Sequence, residues 1–198
     1  MEGSYLLNLD GTGYFSSKNL HSDACLKKCN KKTGVITYHL QMVGAAMVHP
    51  DMKEVIALAP ETIRRQDGET KMDCERNAVR CLLGKLRQEH PHLKFIINED
   101  GLSSNGPHIK DMEKYNFKYI LGAKQGDHKF LFQYVDSAAA VEDTTEFTIT
   151  DKGDDHLTHC FRIVYNTPLN KTNQDKLVTF IEYWEKTARR AGLNISVG

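Results

Sequence analysis

The stretch LKFIINEDGLSSN, residues 93–105, decides how the fold of this sequence is interpreted. Its apolar run FII is followed by two adjacent carboxylates, Glu99 and Asp100, and Gly101 comes directly after them. This pattern predicts a buried strand whose carboxyl end presents an acid at a turn. In sheets covered by helices, ligands and chemistry usually lie at that end of a strand.

A second stretch near the start of the chain has the same arrangement. In residues 5–16, YLLNLDGTGYFS, an apolar run ends at Asp10, and Gly11 follows it. Asp-Gly is a common turn pair, so either acid alone is compatible with a simple turn. Two acid-tipped strands in one chain raise a second interpretation, in which the two acids share one site.

Length and composition indicate a globular protein. The chain has 198 residues, of which 40% are hydrophobic and 26% charged, enough for one domain with a true core or one domain plus an insertion. No run approaches the roughly 20 apolar residues of a membrane span, and the N-terminus lacks the basic region of a signal peptide. We therefore expect a soluble cytoplasmic protein with no membrane partner.

The balance of charge is neutral. Lys and Arg together number 26, and Asp and Glu also number 26, so the formal net charge is zero. A self-sufficient DNA-binding module normally carries excess positive charge, because it must neutralise phosphates. Short basic pairs such as Lys27-Lys28 are interpreted as parts of solvated loops.

The five cysteines are an odd number without a signal peptide, which favours reduced thiols. Cys25 and Cys29 follow His21 closely, and His39 could approach from the next strand, so these residues are candidate zinc ligands. A structural zinc site normally needs four ligands, and no second close pair follows. A zinc site is therefore the minor interpretation.

Hydrophobic periodicity gives a clear order of elements. Strands are predicted over residues 5–10, 35–48, 54–58, 93–98 and 117–121, and helices over 72–89 and 107–115. Residues 11–17 are predicted to form a turn and residues 21–34 a loop, and Pro60 is predicted to end the third strand. This β-β-β-α-β-α-β order is what an RNase H-like α/β fold requires, with a mixed five-stranded sheet and flanking helices.

The chain is predicted to change character after Lys124. Residues 1–124 would form the RNase H-like core, and residues 125–198 a β-rich insertion region with an incomplete C-terminus. A helix is expected over residues 130–141, and strands over 146–150, 159–165 and 178–184.

In such a sheet, Asp10 and Asp100 fall at the ends of neighbouring strands. Their carboxylates could then hold Mg²⁺ or Mn²⁺, since Mg²⁺ prefers oxygen ligands and binds phosphate oxygens directly. Two such ions about 3.5–4 Å apart can activate a nucleophile and stabilise the leaving oxygen in phosphoryl transfer. This chemistry needs a third carboxylate, generally from a later helix.

Several long blocks resemble, in order, the catalytic core of DDE transposases from bacterial insertion sequences. The blocks are LDGTGYFSSK, ITYHLQMVGAAMVHPDMKEVIALAPETI, QDGETKMDCERNAVRCLL, EDGLSSNGPHI and YILGAKQGDHKFLF, and the similarity covers most of residues 6–184. The resemblance implies an RNase H-like fold and Mg²⁺- or Mn²⁺-dependent DNA cleavage and strand transfer. It places the first two catalytic, metal-binding acids at Asp10 and Asp100. The implied partners are transposon-end and target DNA, with self-association left open.

Two features depart from that family. The family places its Glu beyond the insertion, in a helical motif with a nearby Tyr, Arg and Lys, but nothing after Trp184 matches this motif. Glu182 and Glu185 lie in or just after the last predicted strand and are not assigned as the third ligand. Because the N-terminal DNA-binding region is also missing, we expect a chain truncated at both ends. The alternative function is a catalytically inactive remnant that binds nucleic acid or another subunit.

Other polar residues carry weaker hypotheses. Glu99 is interpreted as a solvated strand-end acid, with an outer-shell role near the metal as the alternative. Asp73, Glu75 and Arg76 begin the long helix, where capping and surface pairing compete with a role near the site. Lys124 is a candidate phosphate contact.

Overall fold

A computed structural model describes residues 3–64, 71–101, 104–151, 153, 157–189 and 192–196. The chain divides into two compact units, Met1–Ala123 and Lys124–Gly198. The architecture is mixed α/β, as the sequence predicts. No helix in the described ranges is long and apolar enough to cross a membrane.

The described residues of the first unit form six strands and two helices. They are β1 (Ser4–Ser17), β2 (Leu26–Cys29), β3 (Ile36–His49), β4 (Met52–Ile63), α1 (Lys71–Glu89), β5 (Lys94–Glu99), α2 (Gly106–Lys114) and β6 (Lys118–Leu121). The sheet has the order β2-β3-β1-β5-β6, and β4 also pairs with β3. β3 is antiparallel to β1, β2 and β4, whereas β5 is parallel to both β1 and β6. The predicted strands and helices of this unit are all present.

The predicted turn at residues 11–17 is wrong, because β1 continues to Ser17. The long partner strand β3 supplies hydrogen-bonding positions as far as the pair Ser17–Tyr38, and a register shift between Gly13 and Phe15 keeps the two strands aligned. β3 also pairs with a short strand, β2, inside the predicted loop at residues 21–34. Pairing with the long antiparallel strand β3 therefore keeps residues in strands where the local sequence predicts turns or loops.

Pro60 does not end the third strand. β4 runs on to Ile63, and its register against β3 shifts between the pairs Ala45–Leu58 and Val43–Glu61. Pro60 falls inside that irregularity, where the absence of a backbone N–H does not break a regular ladder. Proline is tolerated at such bulges although it is excluded from the middle of a sheet.

The core of the first unit lies between α1 and the sheet. The helix buries residues at helical spacing: Cys74, Ala78, Val79, Leu82, Leu83 and Leu86. It packs against β3 and β4, while β1 and β5 contribute Leu7, Phe95 and Ile97, all nearly inaccessible to solvent. Burial of each large apolar side chain stabilises the fold by about 1.5–3 kcal/mol.

In the second unit, the described part of the chain forms one helix and four strands. They are α3 (Lys129–Ala140), β7 (Thr145–Thr150), β8 (Leu157–Pro168), β9 (Leu177–Arg189) and β10 (Gly192–Ser196), and the strands form an antiparallel sheet in the order β10-β9-β8-β7. α3 packs against β8, and the apolar cluster of this unit joins α3 to residues of β8 and β9: Leu131, Val135, Ala138, Val164 and Phe180. The helix and three strands predicted here are confirmed, and β10 is an addition.

Candidate active site

The two predicted acids lie at matched positions on neighbouring parallel strands. β1 and β5 pair residue by residue from Ser4–Lys94 to Asn8–Asn98, and Asp10 and Asp100 each follow two residues later. Both acids are exposed. Asp100 directly follows the end of β5, as predicted, but Asp10 lies within β1, which continues to Ser17. The prediction that Asp10 ends its strand is therefore wrong, because β1 stays paired with β3 beyond it.

Close backbone packing holds the turn after β5. The Gly122 N–H donates a 3.0 Å hydrogen bond to the Glu99 carbonyl. A methyl group at Gly122 would lie 3.0 Å from the Gly101 nitrogen and 3.3 Å from the Asp100 carbonyl carbon. A larger residue at this position would therefore make a tight contact with the backbone that carries Asp100.

A cavity of about 270 Å³ lies beside Asp10 and Asp100, entirely within the first unit. Four of its lining residues are acidic: Asp10, Glu75, Glu99 and Asp100. The others are Leu9, Gly11, Gln41, Val43, Ile63, Arg76, Val79, Asn105 and His108. The site is thus an acidic cavity with an apolar floor and two basic side chains.

Glu75 reaches this cavity from α1. Its Oε1 packs directly against Gly11, so closely that a methyl group at Gly11 would collide with it. Glu75 is half-buried, and its carboxylate has no hydrogen bond or ion pair with any other described residue. The interpretation of Glu75 as a surface ion-pair residue is therefore not supported within the described part of the chain. In the sequence, the polar start of the helix gave only a weak signal that this acid lines a cavity. The Asp73 side chain lies outside the part of the chain that the structure describes, so its capping role stays a prediction.

Glu99 is buried, so its interpretation as a solvated acid is wrong. It is 6% exposed, because the pleat of β5 places it on the same inward face as Phe95 and Ile97. His108 Nε2 lies 2.6 Å from Glu99 Oε2, and the backbone N–H of His108 donates to Asn105 Oδ1 at the start of α2. Glu99 Oε1, however, has no partner among the described residues.

Gln41 contributes a second unsatisfied acceptor to the same cavity. It lies on β3 opposite Gly13, and its Oε1 is buried without a hydrogen-bond partner in the described part of the chain. A buried acceptor without a donor costs about 1–3 kcal/mol. Two buried acceptors in the cavity lining, Glu99 Oε1 and Gln41 Oε1, therefore lack a donor within the described residues.

The position of α1 over the site is supported by an ion pair with α2. Arg80 Nε donates to Asp111 Oδ2 at 2.9 Å. This hydrogen bond, with the attraction of the same carboxylate, raises the pKa of Arg80 above its ordinary value. The guanidinium therefore stays charged, and the contact links the helix that carries Glu75 to the helix that carries His108.

Four acidic residues line the cavity, and carboxylate oxygens are the kind of ligand that Mg²⁺ or Mn²⁺ would need. No three His, Cys, Asp or Glu side chains converge on one point within the described ranges. The pleat of β1 explains this separation, since Leu9 and Gly11 share one face of the strand and Asp10 lies on the other. Binding one cation by three acids would require a side chain to turn.

The candidate zinc ligands do not form a three-ligand group in the described structure. The buried Cys25 Sγ lies 3.3 Å from the Ser22 nitrogen, and the exposed Cys29 Sγ lies near the Asn30 carbonyl. The His21 ring stacks on Tyr38 with a centroid distance of 4.2 Å. Each residue therefore has a local structural contact of its own.

The two acids near the end of the chain also have local partners, both in the second unit. Glu182 accepts a 3.0 Å hydrogen bond from Arg162, which also pairs with Glu146. Glu185 accepts a 2.5 Å hydrogen bond from the Tyr183 hydroxyl. These contacts account for the two carboxylates as parts of the β-sheet.

Comparison of the chain with family models, curated proteins and solved structures gave no match. The description of this protein therefore rests on its own structure. Its described residues form a mixed α/β unit with an acid-lined cavity beside two parallel strands, and an antiparallel sheet with one helix comes later in the chain.

Proposed function

We propose that the first unit is an RNase H-like catalytic core that cleaves DNA and transfers DNA strands with the help of a divalent cation, as in DDE transposases. The strand order is one support. If the short β2 is set aside, the remaining strands lie in the order β4-β3-β1-β5-β6, with only β3 antiparallel to its neighbours on both sides. This is the arrangement that the β-β-β-α-β-α-β sequence order requires of such a core.

The observation that carries the proposal is the matched position of Asp10 and Asp100. Both follow the register pair Asn8–Asn98 by two residues and line one acidic cavity. Two acids that share a cation must lie side by side, and the strand register places Asp10, within β1, beside Asp100, directly after β5.

In this proposal Asp10 and Asp100 hold the cation through their carboxylate oxygens. When bound, Mg²⁺ or Mn²⁺ would neutralise charge on the reacting phosphate and lower the pKa of a bound water. Arg76 is an exposed guanidinium on the cavity wall, and a guanidinium can bind a DNA phosphate through two parallel hydrogen bonds. The acids would thus position the metal, and Arg76 would orient the phosphate.

A cleavage assay tests this function. The full chain is incubated with Mn²⁺ and duplex DNA taken from the flanks of its gene, and cleaved and joined products are separated by electrophoresis. We expect Asp10→Asn and Asp100→Asn each to lower the rate by at least about 100-fold, because several kcal/mol of charge stabilisation is lost. Asp51→Asn, in the exposed turn between β3 and β4, is the matched control and should keep the wild-type rate. Equal cleavage by wild type and Asp100→Asn would refute the assignment.

A second candidate is a non-catalytic module that binds nucleic acid or another subunit. The absence of three convergent acids within the described ranges favours it. In this case wild type would bind a labelled duplex in fluorescence anisotropy, with an affinity that falls as salt rises. It would give no cleavage above the Asp10→Asn/Asp100→Asn background.

A further inference from the structure

One face of the antiparallel sheet in the second unit is apolar and open to solvent. Phe147 on β7 pairs with Phe161 on β8, which pairs in turn with Tyr183 on β9. Residues directly opposite one another in an antiparallel sheet share a face, so these three rings form one row across the sheet. With the apolar residues that alternate along the same strands, they form a surface that we refer to as the aromatic face: Phe147, Ile149, Phe161, Leu177, Ile181 and Tyr183.

The opposite face of this sheet is the one that α3 covers. Val164 and Phe180 belong to the apolar cluster with α3, and successive side chains of a strand point to opposite faces. The sheet therefore has an inner face against the helix and an outer, aromatic face. Five side chains of the aromatic face are 43–59% exposed: Phe147, Ile149, Leu177, Ile181 and Tyr183.

The open apolar area is large enough for association. Large aromatic side chains bury about 150–250 Å² each when they are covered, so five half-exposed side chains leave on the order of 500 Å² open. The largest apolar patch of an ordinary monomer is about 300–600 Å² and often has a function. Two such faces packed together would cover about 1,000 Å² in total, which is near the lower limit for a specific interface.

The charge of the aromatic face favours a second copy of the chain over a nucleic acid. From Leu177 to Glu185 on β9, and at the paired positions of β7 and β8, the side chains on this face include no lysine or arginine. A nucleic acid needs such cations to neutralise its phosphates. An identical apolar face needs none, because two sheet faces can interdigitate their side chains directly.

The ring row is held in place before any partner binds. Phe147 and Phe161 stack with a centroid distance of 4.9 Å, and Phe161 lies 5.2 Å from Tyr183. The Tyr183 hydroxyl lies 2.7 Å from His159 Nδ1 and donates to Glu185, so the polar end of this ring already has partners. Because these rings are ordered beforehand, covering them costs little further side-chain entropy.

We propose that the aromatic face is a self-association surface, on which a second copy of this chain docks with its own aromatic face. The same residues are buried on both copies, and a twofold axis closes the dimer. The two sheets pack about 10 Å apart, as in a β-sandwich. This inference goes beyond the proposed function, since it concerns the second unit and does not depend on the cation site.

Sedimentation equilibrium of the full chain over a range of protein concentrations tests this surface. We expect wild type to dimerise with a micromolar Kd, because the interface is near the small end of specific ones. Ile181→Glu should raise the Kd at least about 100-fold, because it places unpaired like charges in the interface. Phe147→Glu should raise it as well, by the same effect on another strand of the face.

Ile56→Glu is the matched control. Ile56 and Ile181 are both 59% exposed on strands, but Ile56 lies in the first unit, so its substitution should leave the Kd unchanged. Circular dichroism of each variant checks that the fold is retained.

Three results would overturn the inference. The first is a wild-type chain that stays monomeric at every concentration. The second is a wild-type Kd in both Ile181→Glu and Phe147→Glu, and the third is an equal rise of the Kd in Ile56→Glu and Ile181→Glu. If wild type is monomeric and binds a fluorescent single-stranded oligonucleotide that Phe147→Glu does not bind, the rings stack on bases and not on a second copy. The DNA cleavage assay has a separate readout, so failure of the proposed function is distinguishable from failure of this inference.

Discussion

Asn98 donates a 2.9 Å side-chain hydrogen bond to Asn8 across the parallel strands β1 and β5. These two residues are also register partners, and they lie two positions before Asp100 and Asp10. A slip of one residue would turn every following side chain of β5 to the opposite face. The amide pair therefore helps to fix the register on which the matched position of the two acids depends.

The Asn8–Asn98 pair should contribute a measurable coupling energy. We expect Asn98→Ala to lower the free energy of unfolding by about 1 kcal/mol, which is typical of a lost intramolecular hydrogen bond. Asn8→Ala should have little further effect in the double variant, because the same bond is already lost. Urea denaturation followed by circular dichroism measures all three variants. If the stability loss of the double variant equals the sum of the two single losses within about 0.3 kcal/mol, the hydrogen bond does not stabilise the fold.

The buried Glu99–His108 pair should be sensitive to removal of one partner. The two side chains are 3% and 11% exposed, so His108→Leu would leave a buried carboxylate without its only described hydrogen-bond partner. We expect a loss of about 3 kcal/mol in the free energy of unfolding, measured by urea denaturation.

His92 offers a matched control for this prediction. It lies in the exposed turn after α1, and His92→Leu should change stability by no more than about 0.5 kcal/mol. The double variant Glu99→Gln/His108→Leu should recover part of the loss, since it buries no carboxylate. Equal stability of the His108→Leu and His92→Leu variants would contradict the prediction.

The Tyr183 hydroxyl should titrate at unusually high pH. Its hydrogen bond to Glu185 raises its pKa from the ordinary 10.0 to about 12. Because the folded state holds this proton more tightly, the contribution to stability is fully present below the ordinary pKa of about 10. It is lost as pH rises through about 12.

The phenolate absorbance of wild type, with that of Tyr183→Phe subtracted, reports this titration directly. Glu185→Ala removes both the hydrogen bond and the charge, so the midpoint should fall towards its ordinary value. An unchanged midpoint in Glu185→Ala would show that Glu185 does not hold the proton.

The core between α1 and the sheet should be the main source of stability of the first unit. Leu83 is 0% exposed, so Leu83→Ala removes buried methyl groups and leaves a cavity. We expect a loss of about 2–5 kcal/mol in the free energy of unfolding. Leu20→Ala is the control, since Leu20 is 69% exposed and should change stability by less than about 0.5 kcal/mol. Similar losses in both variants by chemical denaturation would contradict this location of the core.

The elements predicted well from the sequence are those with a strong local pattern. The helix over residues 72–89 follows from apolar residues at helical spacing, and the strand over residues 93–98 from an apolar run between a His-Pro stop and an Asp-Gly turn. These signals lie within one element and need no knowledge of its neighbours.

The errors have a common cause. Residues 11–17 carry turn residues, and Pro60 is a strand breaker, yet both lie in strands because β3 is long enough to pair with them. Sheet pairing is non-local, so a partner far away in sequence can override a local preference.

The sequence by itself determined that two acids follow apolar strands, that the helices and most strands lie where they do, and that the chain has mixed α/β character. Only the tertiary structure decided that Asp10 and Asp100 share one cavity, that Glu99 is buried against His108, and that Glu75 packs on Gly11. The physical reason is that periodicity within an element fixes which face is apolar. Which side chains then meet depends on strand register and helix packing between residues far apart in the chain.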